Sequence, residues 1–410
     1  MTSYADMVRV FGRIGLLSFG GPAAQIALMH KELVEDRPWL TEPQFLRALS
    51  FCMLLPGPEA MQLATYSGWR MRGIIGGLLA GGLFVIPGAL VIFALAFAYA
   101  AYGNLPLVQA AFVGIKATVV IIVIEAILRI ARKALRGPPD WAIAMLAFVG
   151  LFALNLPFPL IIGGAAVYGA LTTRATATAA PTALPWGQSL RVIAIGGLIW
   201  VAPLALIQGS EFLTDIWLFF STLAVVTFGG AYAVLAYMTQ VVVVDFGWID
   251  TAQMMDALGL AETTPGPLIL VTQFVAFQSG LGAGGPWLAV QAAVLALWVT
   301  FVPCFIWIFA GAPLIDWLEG RPRVAGALSA ITAAVVGVIA NLSLWFAAHL
   351  LFADIGSLGR LNLLWPVWGS VDLTALALIA LAGVMMPGMQ RGLVLTLVVT
   401  ALAGVAAGMI

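Results

Sequence analysis

Charge is scarce in this chain: Asp, Glu, Lys and Arg make up only 9% of its 410 residues. A soluble globular domain carries about a quarter charged residues. A surface of this size facing water is therefore excluded, and with it a soluble enzyme. A disordered protein would need more charge and a nucleic-acid binder a basic stripe; here 18 basic side chains cancel 18 acidic ones. Cysteine is almost absent as well. Cys52 and Cys304 are too few for a disulfide framework or a thiolate metal site, and their apolar neighbours mark both as core packing. The two histidines, His30 and His349, lie far apart with no His-x-x-His spacing, which speaks against catalytic zinc. No metal or other cofactor is expected. Nor does the N-terminus read as a cleavable signal peptide, because Asp6 interrupts it and no small-residue cleavage site follows.

What is present is apolar: 62% of the chain, with a mean hydropathy of +1.07. Runs nearly free of charge cover 78–101, 107–127, 192–207, 286–309, 324–350 and 375–386. A helix needs about 20 apolar residues to cross about 30 Å of hydrocarbon, and the alternating pattern of a strand barrel is missing. The expected class is an all-α polytopic membrane protein. Its 44 glycines and 22 prolines are tolerable in membrane helices where neighbours satisfy the freed backbone groups.

The chain also repeats itself. Residues 11–58 align without a gap on 220–267, at an offset of 209: Phe19-Gly20-Gly21 on Phe228-Gly229-Gly230, Trp39 on Trp248, Gln44 on Gln253, and Pro56-Gly57-Pro58 on Pro265-Gly266-Pro267. Downstream the offset is 216, so Pro87 meets Pro303 and Pro106 meets Pro322, after an insertion of seven residues near 279–286. The expected organisation is a first repeat over 1–136, a connector of about three transmembrane helices over 137–209, a second repeat over 210–352 and C-terminal transmembrane helices over 353–410. Repeats of this kind change every later inference, so they come first.

Charge then assigns orientation. Up to residue 209 the chain has 14 basic and 8 acidic side chains; the remainder has 4 and 10. Arg129, Arg132, Lys133 and Arg136 correspond to Trp345, Ala348, His349 and Phe352, whereas Arg321 and Arg323 correspond to Leu105 and Leu107. Basic short loops stay cytoplasmic, so equivalent loops lie on opposite sides. That is the mark of inverted-topology repeats. If 31–47 and 70–72 both face the cytoplasm, 48–69 must enter the membrane and return, with Pro56-Gly57-Pro58 at its tip. Segment 11–30 then reads as a second hairpin turning at Gly20-Gly21-Pro22. Each repeat is expected to hold such broken or re-entrant helical hairpins.

These motifs resemble a known family. Phe19-Gly20-Gly21-Pro22 followed by Lys31-Glu32-Leu33-Val34-Glu35 and Trp39, the run from Leu55-Pro56-Gly57-Pro58-Glu59 to Ala64, and Thr264-Pro265-Gly266-Pro267 are similar to the chromate ion transporter family. The likeness spans about 11–350, as in its long, two-domain members. It implies a multi-pass protein of the bacterial cytoplasmic (inner) membrane that exports chromate, with protons as the coupling ion. The second half departs at Gly230-Ala231, where Gly-Gly-Pro is the pattern, and in the glycine-rich stretch 280–285. Sulfate has the same charge and shape as chromate, so a sulfate or other oxyanion carrier is an alternative, as is an anion channel. A membrane enzyme acting on lipid phosphate would need a clustered nucleophile or metal set that the sequence lacks. Oligomeric state is left open, a homodimer included.

A tetrahedral dianion in the membrane needs donors and positive potential. Broken helices supply both, through free N–H groups and about half a positive charge at each N-terminus. The candidate anion-binding residues are therefore Ser18, Phe19, Gly20, Gly21, Pro56, Gly57, Pro58 and Gln62 in the first repeat. Thr227, Gly229, Gly230, Thr263, Thr264, Pro265, Gly266 and Pro267 are their counterparts in the second. Ionisable residues in membrane spans are costly by at least about 2.5 kcal/mol each and read as functional. Glu59, directly after Pro58, repels a dianion when ionised and admits it when protonated; Glu262 is the proton-coupling candidate of the second repeat. Lys116, isolated in an apolar run, is expected to attract the anion or to pair with Glu59 or Glu125. Arg13, Arg70 and Arg72 are expected at a cytoplasmic entrance, where they concentrate anions.

Overall fold

The computed structural model describes residues 2–19, 21–174, 186–228, 231–315, 321–358, 363–389 and 391–409. It is an all-α polytopic membrane protein built on a duplicated unit, with sixteen α-helices among the described residues. The only strands described there form a short hairpin, β1 (Ile355–Leu358) and β2 (Leu363–Pro366). In chain order the helices used below are α1 (Tyr4–Leu17), α2 (Gly21–His30), α3 (Glu42–Cys52), α4 (Glu59–Tyr102), α5 (Pro106–Ala134), α6 (Pro138–Phe152), α7 (Phe158–Thr172) and α8 (Trp186–Val201). They continue with α9 (Glu211–Val226), α10 (Ala231–Met238), α11 (Thr251–Thr263), α12 (Val271–Gly284), α13 (Pro286–Gly311), α14 (Pro322–Leu351), α15 (Leu373–Gly383) and α16 (Leu393–Gly408).

Among the described residues, five segments are long and apolar enough to cross a bilayer: Glu59–Tyr102, Pro106–Ala134, Trp186–Ala205, Pro286–Leu314 and Pro322–Leu351. In the connector, α6 and α7 have 15 residues each. At 1.5 Å per residue they reach about 22 Å, less than the hydrocarbon thickness.

The helix α4 is two helices in one. Arg72 and Gly73 leave helical geometry, with Gly73 at φ +64°, and the chain reverses there. Contacts across the break run antiparallel: a Cβ on Gly68 would strike the carbonyl of Gly76, and one on Gly81 the hydroxyl of Thr65. Glycine at these positions lets two backbones touch. In the second repeat, α12 and α13 make the equivalent hairpin, turning at Gly285 and packing Gly280 on Ala289. The seven inserted residues fall at the tip of this hairpin and extend its helical arms, not the turn.

Local details repeat with the sequence. Thr41 N–H donates to Gln44 Oε1 at 3.1 Å and Asp250 N–H to Gln253 Oε1 at 3.0 Å, the same cap at the start of α3 and α11. Trp39 N–H reaches the Leu33 carbonyl at 3.1 Å; Trp248 N–H reaches that of Val242 at 2.9 Å. A π-helical turn follows α2 (Lys31–Glu35) and α10 (Thr239–Asp245) alike.

The chain forms two compact units. The first comprises Met1–Ala96, Ala170–Val234 and Ala261–Leu328. Its core is the α12–α13 hairpin, against which α8 and α9 pack. The second comprises Phe97–Gly169, Leu235–Leu260 and Ser329–Ile410. Here α5 lies against α15 and α16, close enough that a Cβ on Gly114 would overlap the Thr400 carbonyl. Ala147, Ala165, Ala330 and Ala334 join α6, α7 and α14 through small side chains, the usual basis of close helix approach in membranes. Each unit therefore draws on both repeats.

Candidate functional site

Both Pro-Gly-Pro motifs fall where helices break. The first lies between α3 and α4, so that Pro58 directly precedes the first residue of α4 and its carbonyl accepts from Gln62 N–H at 3.1 Å. The second lies between α11 and a short 3-10 turn, Leu268–Leu270, that leads into α12. Gly57 has φ +112° and Gly266 φ +90°, a backbone conformation that costs an L-residue about 1–2 kcal/mol. The Ser18 and Thr227 positions are breaks too: α1 ends at Leu17 and α9 at Val226.

Each turn is held by the other repeat. Gly57 N–H donates to the Thr227 carbonyl at 3.0 Å, and Gly266 N–H to the Ser18 carbonyl at 2.9 Å. These four residues are two equivalent pairs at the 209 offset. The exchange continues in the packing. A Cβ on Gly57 would lie 3.0 Å from Cys304 Sγ, and one on Gly266 would lie 3.4 Å from Gly88 Cα; Gly88 and Cys304 are themselves equivalent at the 216 offset. One strut breaks the symmetry. Gln25 Nε2 donates to the Gly266 carbonyl at 2.8 Å and to that of Ser18 at 3.3 Å, where the second repeat has Val234. Gln62 instead supports its own turn, Nε2 to the Pro56 carbonyl at 2.6 Å, and its Oε1 is buried without a hydrogen bond.

This cradle gathers Ser18, Pro56, Gly57, Pro58, Gln62, Thr227, Thr264, Pro265, Gly266 and Pro267 in the first unit. The hydroxyls of Ser18, Thr227 and Thr264 donate back to the carbonyls of Ile14, Leu223 and Ala261, so their lone pairs, not their protons, are on offer. Phe19 is 39% exposed, Gly21 opens α2 at φ +80°, and Thr263 is half-buried at the end of α11. Gly20, Gly229 and Gly230 lie outside the described residues.

The carboxylates differ. Glu59 is the first residue of α4 and half-buried, a position favourable to negative charge. Glu262 is buried, and Tyr232 Oη donates to its Oε1 at 2.9 Å. Of the arginines expected at an entrance, Arg13 is exposed and pairs with buried Glu32 at 3.4 Å, which also receives Arg37. Arg70 is exposed. Arg72 is tied down, its Nε donating to the Thr2 carbonyl at 2.7 Å and its guanidinium 5.0 Å from the Tyr4 ring centre.

Lys116 corrects the expectation. Its partner is Asp256, at 3.0 Å and buried with it, rather than Glu59 or Glu125. Asp256 is one and a half turns into α11, not in the acidic loop that precedes it, and its other oxygen accepts from Tyr99 Oη at 2.7 Å. All three residues belong to the second unit. The signal for Asp256 was a carboxylate inside an otherwise apolar helical stretch.

The sequence matches the chromate transporter family over residues 5–170 and 214–408. It is 32% identical over 346 residues to a "Chromate transport protein" of Pseudomonas aeruginosa, covering 82% of this chain and 79% of that one. A "Probable chromate transport protein" of Synechococcus elongatus is 31% identical over 343 residues, 83% of each chain. An "Uncharacterized transporter" of Methanocaldococcus jannaschii is 25% identical over 82% of this chain and 83% of its own. No solved structure matches the chain.

Proposed function

Since the chain belongs to the chromate transporter family, we propose that it is a secondary transporter, not an enzyme, that exports chromate across the bacterial cytoplasmic membrane. The observation that carries this reading is the reciprocal cradle, in which Gly57 and Gly266 are each held by the preceding break of the other repeat. The helix start that follows each turn offers positive potential and first-turn backbone N–H groups to an oxyanion. The turns also couple the two repeats mechanically, because neither turn can move without the segment that holds it.

The repeats, 1–136 and 210–352, lie in opposite orientations in this proposal and give the site access to the two sides of the membrane in turn. The hairpins 48–69 and 257–285 are re-entrant, since the 59–71 arm spans only about 20 Å. Export is favoured by an inside-negative membrane. Each charge moved through 100 mV is worth about 2.3 kcal/mol, or about 4.6 kcal/mol for a dianion. One accompanying proton halves that figure and leaves it favourable against a one-unit pH gradient, worth about 1.4 kcal/mol. Glu59 and Glu262, beside the two turns, are the proton-linked carboxylates of the cradle.

Direct competition between chromate and sulfate for the purified protein tests the substrate. Chromate binding that a hundredfold excess of sulfate leaves largely in place supports the reading; equal displacement makes this a general oxyanion carrier.

A further inference from the structure

The buried ion pair of the second unit is not accounted for by the cradle. Lys116 Nζ lies 3.0 Å from Asp256 Oδ1, and the side chains are 9% and 1% exposed. Tyr99 Oη holds the other carboxylate oxygen at 2.7 Å. Buried charge in a membrane protein is costly and marks function rather than stability. Duplication does not explain it either: the equivalents of Lys116 and Asp256 are Thr332 and Arg47. The device exists once per chain.

Beside it is a cavity of about 410 Å³, walled by Lys116, Thr251, Met255, His349 and Asp372 among others. Of the ion pair, only Lys116 borders this space. The remaining polar groups favour an anion. His349 Nδ1 is engaged with the Trp345 carbonyl at 2.9 Å, and Thr251 adds a hydroxyl. The negative charge of Asp372 is turned into its own helix, Oδ1 accepting from Thr374 and Ala375 N–H at 2.8 and 2.9 Å at the start of α15. Asp250, on the loop before α11, likewise accepts from Gln253 N–H at 2.7 Å. Helix α16, packed on α5, carries no ionisable side chain.

We propose that Lys116 and Asp256 form a proton-linked binding site for a tetrahedral dianion, distinct in its residues from the Pro-Gly-Pro cradle. The incoming oxyanion takes the Lys116 ammonium, and the oxygen of Asp256 that Lys116 releases accepts one proton from solvent hydronium or buffer acid, whose bond to that proton breaks to leave water or the buffer base. With Asp256 ionised, the dianion meets a neutral pair with a carboxylate at contact distance; with Asp256 protonated, it meets an uncompensated cation. The proposal deepens the transport reading by naming a second place, besides the cradle carboxylates, where proton and anion are linked, and rests on it for the class of ligand.

Titration calorimetry on the purified full-length protein, with chromate and sulfate as probes and two buffers of different ionisation enthalpy, reads the linkage directly. Binding at this site should take up close to one proton per anion and weaken about tenfold per pH unit over the titration of Asp256. Lys116→Gln should lose at least tenfold in affinity. Asp256→Asn should bind without proton uptake and without the pH slope. Tyr99→Phe removes a bond that favours the ionised carboxylate, so it should move the slope to higher pH while leaving Asp256 in place if the Asn variant does not fold. An Asp256→Asn protein with the wild-type proton count, wild-type affinity in Lys116→Gln, or an unmoved slope in Tyr99→Phe overturns the proposal. Absent flux in vesicles with this proton count intact would instead tell against the transport reading alone.

Discussion

Gly57 gives its backbone N–H to the carbonyl of Thr227, 170 positions away, at 3.0 Å. The bond from Gly266 to Ser18, at 2.9 Å, is the same bond with the repeats exchanged. The duplication is therefore more than a doubled sequence: each copy completes the turn of the other.

Gly57→Ala and Gly266→Ala should both damage the cradle. Each forces an L-residue into positive φ at a cost of about 1–2 kcal/mol, and the methyl added at position 57 would also press on Cys304 and Gln62. Anion transport should fall at least tenfold in each variant, measured as flux per correctly folded protein. Adding Cys304→Ala to Gly57→Ala relieves the contact but not the backbone strain, so it should restore little. Full recovery would mean that packing, not backbone conformation, is what Gly57 provides.

Gly88→Ala should be destabilising although Gly88 has ordinary helical geometry. A methyl there overlaps the Pro265 carbonyl and approaches Leu270. Overpacking of this kind costs about 1–3 kcal/mol, read as a lower Tm in detergent. Gly82→Ala on the same helix is the control, because its nearest neighbour is 3.8 Å away.

The Lys116–Asp256 pair should show strong coupling. Lys116→Met alone leaves Asp256 buried without its cation, at about 3–5 kcal/mol. Lys116→Met with Asp256→Leu should cost much less than the two single changes together. A double-mutant cycle by chemical unfolding measures the difference, and additive losses would mean that the pair is not energetically linked.

Stability should depend on pH through His30, which closes α2 outside the candidate spans. Its Nε2 faces Glu42 at 2.6 Å and its Nδ1 faces Glu35 at 3.0 Å. Only the imidazolium, with two N–H donors, satisfies both. The hydrogen bond to Glu42 is the main cause that holds its pKa above 6.5, with partial burial opposing. Because the folded value is raised, this stabilisation is complete below about pH 6.5 and is lost as pH rises through the folded pKa. For a partly exposed group the effect lies within about 0–1 kcal/mol. His30→Gln should flatten that slope in thermal melts between pH 6 and 8; an unchanged slope removes His30 as its source.

Much of this was legible in the sequence because it is local. The repeat offset, the breaks at Ser18 and Thr227, and the positions of both Pro-Gly-Pro turns follow from glycine and proline, which act on their own backbone. The reversal at Arg72–Gly73 was readable from charge parity. Partner choice was not. Nothing near Lys116 points to Asp256, which belongs to the other repeat and follows two other acids, Asp245 and Asp250. Gln25 gave no signal, since its role depends on the Gly266 carbonyl 241 positions away. The crossing of the two turns is likewise a tertiary fact that no periodicity encodes.

The most direct test of the account is chromate flux in proteoliposomes containing the wild-type chain, with membrane potential and pH gradient imposed separately. The account predicts saturable chromate movement that follows the potential, changes with the pH gradient at fixed potential, and loses part of that pH dependence in Glu59→Gln. Flux that tracks voltage alone, without saturation and without response to the pH gradient, would contradict it and describe an anion channel.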